Sequence, residues 1–252
     1  MVASLKQVFS ALNRNGNVSL CRDVLGLSNG RVPAAVNPAR PEPQINVNQF
    51  VRLLRGQHFH AQLIVTGSDL LSDNDTKVLD YDVFRLRDIY ATAEIGIGIV
   101  SWELRSAQNS GGHAVVRTGG DITTTGHDIT ADGDFVPVVI PADMNVTVVN
   151  PDGTVTIALG LSPTSGPCSP RTRGGMNSSV VDFAGEPGGR ALAHEVGHYL
   201  GAEHPATAGM TLMTQDAAVR NAGGDPFMAT AILENDRAKM RKHCVMRSGL
   251  AV

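Results

Sequence analysis

The residues best placed to do chemistry lie in one segment, His194-Glu195-Val196-Gly197-His198-Tyr199-Leu200-Gly201-Ala202-Glu203-His204. On an α-helix, side chains four residues apart share a face one turn apart, so His194 and His198 can aim imidazole nitrogens at one ion. Glu195 projects about 100° further round the helix, where it reaches a water on that ion without taking a coordination position. A further helical turn would carry residue 204 away along the axis. Gly201 can instead take the left-handed conformation that ends a helix and swings the chain aside. His204 then returns as a third ligand, and the fourth position stays open for water, the condition of a catalytic rather than a structural zinc. At this chain's residue frequencies the full pattern arises by chance on the order of 10⁻⁵, so packed or solvated histidines account for it poorly.

These residues need a helix, and the helix needs a sheet to rest on. The helix is expected after the breaker 184–189 and through Leu200, with Leu192, Val196, Tyr199 and Leu200 as its packing positions. Strands are expected at 59–65, 95–100, 136–140, 146–149, 155–159 and 179–183, with turns at 67–75 and at Pro151-Asp152-Gly153. Val83, Leu86, Ile89 and Tyr90 recur at helical spacing and predict a helix over 78–90. Residues 106–134 are polar and glycine-rich without periodicity, which reads as a long surface insertion. Asp225-Pro226 is an N-cap and N1 pair for a C-terminal helix reaching about His243.

Residues 1–55 differ from the rest. A short helix (Leu5, Val8, Phe9, Leu12) leads into 33–43, which holds four prolines and cannot be helix interior. This reads as an N-terminal extension, a pro-segment or wrapping arm. The main domain then covers 56–252, with an upper part to about 201 and a lower part from 202 to 252.

With 252 residues, 42% of them hydrophobic, the chain can bury a core without a disulfide framework. A net charge of −3 gives no electrostatic reason to expect nucleic acid, and no apolar run is long enough for a transmembrane helix. The first twenty residues lack the apolar stretch and cleavage site of a secretory signal. Three cysteines permit at most one intramolecular disulfide. Cys168 and Cys244, in the same half of the chain, are the first pair to test; three reduced thiols are the alternative. Nothing in the sequence demands more than a monomer.

H-E-x-x-H-x-x-G-x-x-H is the signature of the metzincin clan of zinc metallopeptidases, which this chain resembles over roughly 58–245. The clan carries a methionine turn after the third histidine, a hydrophobic floor under the metal. Gly209-Met210-Thr211-Leu212-Met213-Thr214-Gln215 offers that turn, with Met213 preferred, Met210 the fallback and ordinary core filling the bland alternative. Pro205 follows the third histidine as in the serralysin-like branch. Gln215, however, stands two residues after Met213, where astacin-like and serralysin-like enzymes carry a tyrosine. An extra tyrosine ligand is therefore not supported, and no subfamily is assigned.

The resemblance implies an α+β fold: a metzincin-like mixed twisted sheet, two main helices above the cleft, and a small C-terminal subdomain ending in a helix. It implies one catalytic zinc on His194, His198 and His204, Glu195 as general base, and secretion. Protein or peptide substrates would be laid as an added strand along an edge, for which 154–161 is the candidate. The rival readings are a latent proenzyme held by residues 1–55 and a zinc-binding interaction module without proteolysis. Glu195 argues against the second, because a non-catalytic site needs no base there.

Weaker signals concern other ligands. Asp69, Asp73, Asp75, Asp80 and Asp82 crowd one stretch and Asp128, Asp132 and Asp134 another; they resemble calcium loops without their spacing, so Ca2+ is the lesser expectation and solvated turns the greater. His58, His60, His113 and His127 have no template for a second zinc. Cys21 or Asp23 could block the metal in a zymogen, though their context does not match the familiar cysteine switch, and a plain thiol is the competing reading.

Overall fold

The computed structural model describes residues 18–19, 44–46, 56–131, 134–149, 153, 155–168, 176–183 and 186–249. Strands β1 (Val18–Ser19) and β2 (Gln44–Ile45) form a two-stranded antiparallel pair. The expected helix at 5–12, the proline-rich stretch 33–43, and Cys21 and Asp23 lie outside the described residues.

A sheet of six strands is built around β3 (Gln57–Thr66), a run of ten residues buried along nearly all its length. Strand β3 lies parallel to β4 (Ile95–Arg105) on one side and to β6 (Phe135–Pro141) on the other. Beyond β6 come β11 (Ser179–Val181), parallel, and β10 (Gly160–Leu161), antiparallel, which closes that end of the sheet among the described residues. Strand β12 (Arg247–Ser248) pairs antiparallel with the start of β3. The short β5 (Val115–Val116) and β7 (Asp143–Met144) pair with each other. Strands β8 (Val146–Val149) and β9 (Val155–Ala158) form an antiparallel hairpin apart from the main sheet.

Alternation along the central strands sends side chains to two cores. Phe59, Ala61, Leu63 and Val65 join Val136, Val138 and Ile140 against helices α1 (Asp73–Thr92) and α3 (Glu186–Tyr199). Ile64, Val139 and Val180 face the other way, onto Ile122 of helix α2 (Gly119–Asp128), with Val116, Ile129 and Met144. The result is the mixed α+β architecture expected, with α1 and α3 on one face of the sheet.

Several boundaries differ from the sequence reading. Helix α1 begins at Asp73 because Ser72 and Asp75 form a capping box: the Asp75 amide donates to Ser72 Oγ at 3.3 Å and the Ser72 amide to the Asp75 carboxylate at 2.8 Å. Strand β4 runs on to Arg105, since its pairing with β3 continues to Thr66. Residues 106–134 are no surface insertion. They contain β5 and α2, the latter capped by Thr118 and Asp121 and held by the burial of Ile122 and Ile129. Three glycines and three threonines in α2 give poor helix propensity, so tertiary burial decides there.

Helix α3 begins at Glu186, with Pro187 in its first turn and Gly188 and Gly189 inside it rather than before it. Those glycines let the helix approach α1: a Cβ on Gly189 would lie 2.7 Å from Arg85 Cβ. The long C-terminal helix expected from Asp225 is also corrected. Asp225 caps only a 3₁₀ turn (Pro226–Met228), accepting from the Phe227 amide at 3.0 Å. The chain coils separately into α4 (Asp216–Asn221) and α5 (Glu234–Met240), then returns to the sheet as β12 instead of ending in a helix.

Candidate metal centre

Helix α3 rests on the sheet through Leu192, Val196 and Tyr199, and on α1 through the Tyr90 hydroxyl, which donates to the Ala193 carbonyl at 3.0 Å. This packing turns His194 and His198 toward one point. The helix stops where the sequence places Gly201, at φ 99°. The Gly201 amide donates to the His198 carbonyl (2.8 Å) and the Ala202 amide to the Gly197 carbonyl (2.9 Å), the paired bonds of a Schellman ending. The reversed chain brings back His204.

Three Nε2 atoms then converge: His204 Nε2 lies 3.2 Å from that of His194 and 3.0 Å from that of His198. Their far sides are fixed. His194 Nδ1 donates to the Leu212 carbonyl at 2.7 Å and His198 Nδ1 to the Ala202 carbonyl at 2.9 Å. A carbonyl oxygen only accepts, so each of these rings carries its proton on Nδ1 and a lone pair on Nε2. Two lone pairs facing a third imidazole at this distance are poorly satisfied by one another and well satisfied by a cation between them. Burial, assisted by the neighbouring His198, Arg190 and His204, pushes His194 down to about 3, against the pull of its hydrogen bond to Leu212. Burial lowers His198 and His204 as well. All three rings are therefore neutral at neutral pH, the form that ligates a metal. The donor set fits zinc.

Glu195 is buried beside this triad, only 7% exposed. Burial raises its carboxyl to about 8, with Asp216 adding to the rise and Arg190 opposing it; a dication among the imidazoles acts in the same sense as Arg190. Room for the side chain comes from β10: a Cβ on Gly160 would lie 2.6 Å from Glu195 Cγ and 3.0 Å from its Oε1. Met213 is fully buried beneath the helix, where a Cβ on Gly197, between the two histidines, would meet its sulfur at 2.7 Å. Met210 is half exposed and packs near Gly224 instead.

Arg190 was missed by sequence reasoning, although it stands one turn before His194 on the same face. It is buried, donates to the carbonyls of Ala229 (3.0 Å), Leu212 (3.2 Å) and Thr214 (2.7 Å), and pairs with Asp216. The Leu212 carbonyl thus takes both Arg190 and His194, tying the 211–214 turn to the metal helix. Thr211 and Thr214 close that turn through an amide-to-carbonyl bond of 3.2 Å and a hydroxyl pair at 2.8 Å.

His58, His60, His113 and His127 form no metal-binding group among the described residues. His60 Nδ1 accepts from the Ile99 amide at 3.0 Å, His113 sits between Thr125 and Asp128, and His127 is exposed. The described aspartates of the two acidic stretches form no cation cluster: Asp69 accepts from the Ala107 amide (2.6 Å), Asp75 caps α1 and Asp128 pairs with His113. Calcium is therefore not supported; Asp132 lies outside the described residues. Cys168 and Cys244 are joined in a disulfide, the pairing placed first on sequence.

Fold and site together define a group of three histidines that could hold a metal ion, with a buried carboxylate beside it, at the end of a helix packed on a mixed sheet. No family model and no curated protein matches the sequence. Among solved structures the chain is similar to archaemetzincin from Methanopyrus kandleri, with a TM-score of 0.46 and 11% identity over 74% of this chain and 95% of that one. It is also similar to metalloproteinase-II from Bacteroides fragilis, with a TM-score of 0.43 and 13% identity over 73% of this chain and 52% of that one.

Proposed function

We propose that this chain is a zinc-dependent endopeptidase of the metzincin type, with His194, His198 and His204 holding the metal and Glu195 acting as general base. The observation that carries the reading is the approach of His204 Nε2 to 3.2 Å from His194 Nε2 and 3.0 Å from His198 Nε2, the latter two rings oriented by carbonyl acceptors, next to a buried carboxylate. When bound, zinc supplies Lewis acidity to a water and to the scissile carbonyl.

The chain's own residues do the rest. Glu195 accepts a proton from the attacking water and returns it to the leaving nitrogen. Burial raises its affinity for that proton, which suits the return step, and a dication on the histidines would lower it again so that the carboxylate can take the proton first. Gly160 brings the backbone of β10 against Glu195, so a peptide added antiparallel to β10 runs past the base. This narrows the expected edge: β9, within 154–161, pairs with β8 away from the main sheet, which leaves 160–161 to receive substrate. Met213 supplies the apolar floor of the methionine turn. The Cys168–Cys244 disulfide supports an oxidising, exported destination. No helix of the described residues is long and apolar enough to cross a membrane.

The test is zinc content and casein cleavage measured together on wild type and Glu195→Gln, with a chelator as control. Zinc in both and cleavage in the wild type alone supports the reading. Near-normal cleavage by Glu195→Gln overturns it.

A further inference from the structure

Outside the histidine triad, one other group of ligating side chains converges among the described residues: Cys168, His243 and Cys244, whose donor atoms lie within 4.8 Å of one another. The disulfide joins two of them, with Cα atoms 5.8 Å apart. The arrangement does not depend on that bond alone. Residues 165–167 are hydrogen-bonded to the end of α3, the Ser165 amide to the His198 carbonyl (2.9 Å) and the Gly166 amide to the Tyr199 carbonyl (2.7 Å). The Tyr199 hydroxyl donates to the Pro167 carbonyl at 3.1 Å, and a Cβ on Gly166 would lie 2.4 Å from the Tyr199 ring, so the strap is seated closely. From the other side, His243 Nε2 donates to the Gly166 carbonyl at 2.8 Å. These bonds keep Cys168 beside Cys244 when the sulfurs are parted.

The same hydrogen bond orients His243. With its proton on Nε2, directed at a carbonyl, the ring holds its lone pair on Nδ1, and Nδ1 is the atom that faces Cys244 Sγ, at 3.9 Å; it also accepts a long bond of 3.4 Å from the Val245 amide, which a cation would replace. A nitrogen and a sulfur that share a tetrahedral zinc are separated by roughly the same distance, given metal–ligand bonds of about 2.1 and 2.3 Å. A carbonyl bonded behind a ligating imidazole is the usual way its ligating nitrogen is presented. Both cysteines are exposed and open to solvent.

We infer that the reduced chain holds a thiophilic d10 cation, zinc being the common case, through Cys168 Sγ, Cys244 Sγ and His243 Nδ1, and that oxidation to the disulfide excludes it. A phosphine gives two electrons to the cystine and ends as its oxide, one water supplying that oxygen and the two protons of the new thiols; a dithiol supplies electrons and protons itself and closes to its own disulfide. The cation then binds as both thiols lose their protons to solvent, and the two sulfurs part to flank it. Two thiolates and an imidazole are a donor set for zinc or cadmium rather than for calcium or magnesium.

The experiment is cadmium titration of the oxidised and the phosphine-reduced protein, both carrying Cys21→Ser so that no third thiol contributes, followed by metal stoichiometry and by the ultraviolet charge-transfer band that only sulfur ligands produce. The reduced protein is expected to take one more cadmium per chain than the oxidised protein and to show the band; the oxidised protein shows none. Cys168→Ser should abolish the band under reduction. His243→Ala should keep it while weakening cadmium affinity at least tenfold. A reduced wild type without a band overturns the inference, as does undiminished affinity in His243→Ala. So does loss of near-ultraviolet circular dichroism on reduction that cadmium does not restore. The histidine triad contains no sulfur, so its own cadmium adds no band and its failure would be read separately, as loss of metal from the oxidised protein.

Discussion

On the proposed reading, metal binding by the histidines and proton transfer by Glu195 are roles that single substitutions separate. Glu195→Gln keeps the three imidazoles and is expected to bind zinc normally while peptide cleavage falls about 10²–10⁴-fold, the range for a lost general base. His198→Ala is expected to lose zinc and cleavage together, read by metal analysis of the purified protein. Gly160→Ala is a sharper test of the surroundings. Its new Cβ would stand 2.6 Å from Glu195 Cγ, so the base must shift. A displacement of that order costs about 10²-fold in turnover with zinc content unchanged. Equal turnover in Gly160→Ala would mean that the carboxylate does not work from where it lies.

At the scale of elements, the site depends on two devices that join helix α3 to the 201–216 segment. One is the left-handed ending at Gly201, with φ 99°. Gly201→Ala is expected to destabilise the fold by about 1–2 kcal/mol, since a Cβ there meets its own backbone, and to weaken zinc binding by displacing His204. The other is Arg190, whose guanidinium reaches three carbonyls and Asp216 from inside the protein. Removing it in Arg190→Ala leaves the Leu212, Thr214 and Ala229 carbonyls without that donor and Asp216 without its cation. Asp216 is 32% exposed and can be solvated, so the expected cost is about 1–3 kcal/mol, from buried carbonyls left without a donor, measured by urea unfolding. Arg190→Lys keeps the charge but not the fork, so it should recover only part of the loss.

For the whole molecule, the disulfide and, on the proposed reading, a bound zinc bear on stability. Zinc that binds only the folded chain stabilises it by about 2.7 kcal/mol at a free concentration one hundred times its Kd. For a chain of this size, chelation should then lower Tm by roughly 5–10 °C; an unchanged Tm would mean that the triad holds no metal under those conditions. The disulfide spans 76 residues, from the strap at the end of α3 to the turn after α5. Cys168→Ser is expected to lower unfolding stability by about 2–4 kcal/mol in the oxidised state. That bond, the strap and β12 return the C-terminal region to the sheet, so the lower part of the molecule is fastened at two points rather than hanging from α3.

The local pattern determined much of this. The spacing of His194, Glu195, His198, Gly201 and His204 follows from helix geometry and from the one residue type that turns left-handed cheaply, so the convergence of the three histidines and the helix ending were legible without a fold. So were the central strands, whose alternating or continuous apolar runs admit little else, and the core face of α1. What local pattern could not decide is whatever depends on residues distant in sequence. Helix α2 has weak propensity and exists because Ile122 and Ile129 find a core made by β3, β6 and β11. The C-terminal helix breaks because Leu212 and Ala231 pair across the gap, the Leu212 amide donating to the Ala231 carbonyl at 2.8 Å. Arg190, Gly160 and the Leu212 carbonyl became part of the site only when the chain brought them to it. Hydrogen bonds and close packing act over a few ångströms in space, whatever the separation along the chain. Sequence spacing therefore set the convergence of the histidines, and tertiary structure set what orients them.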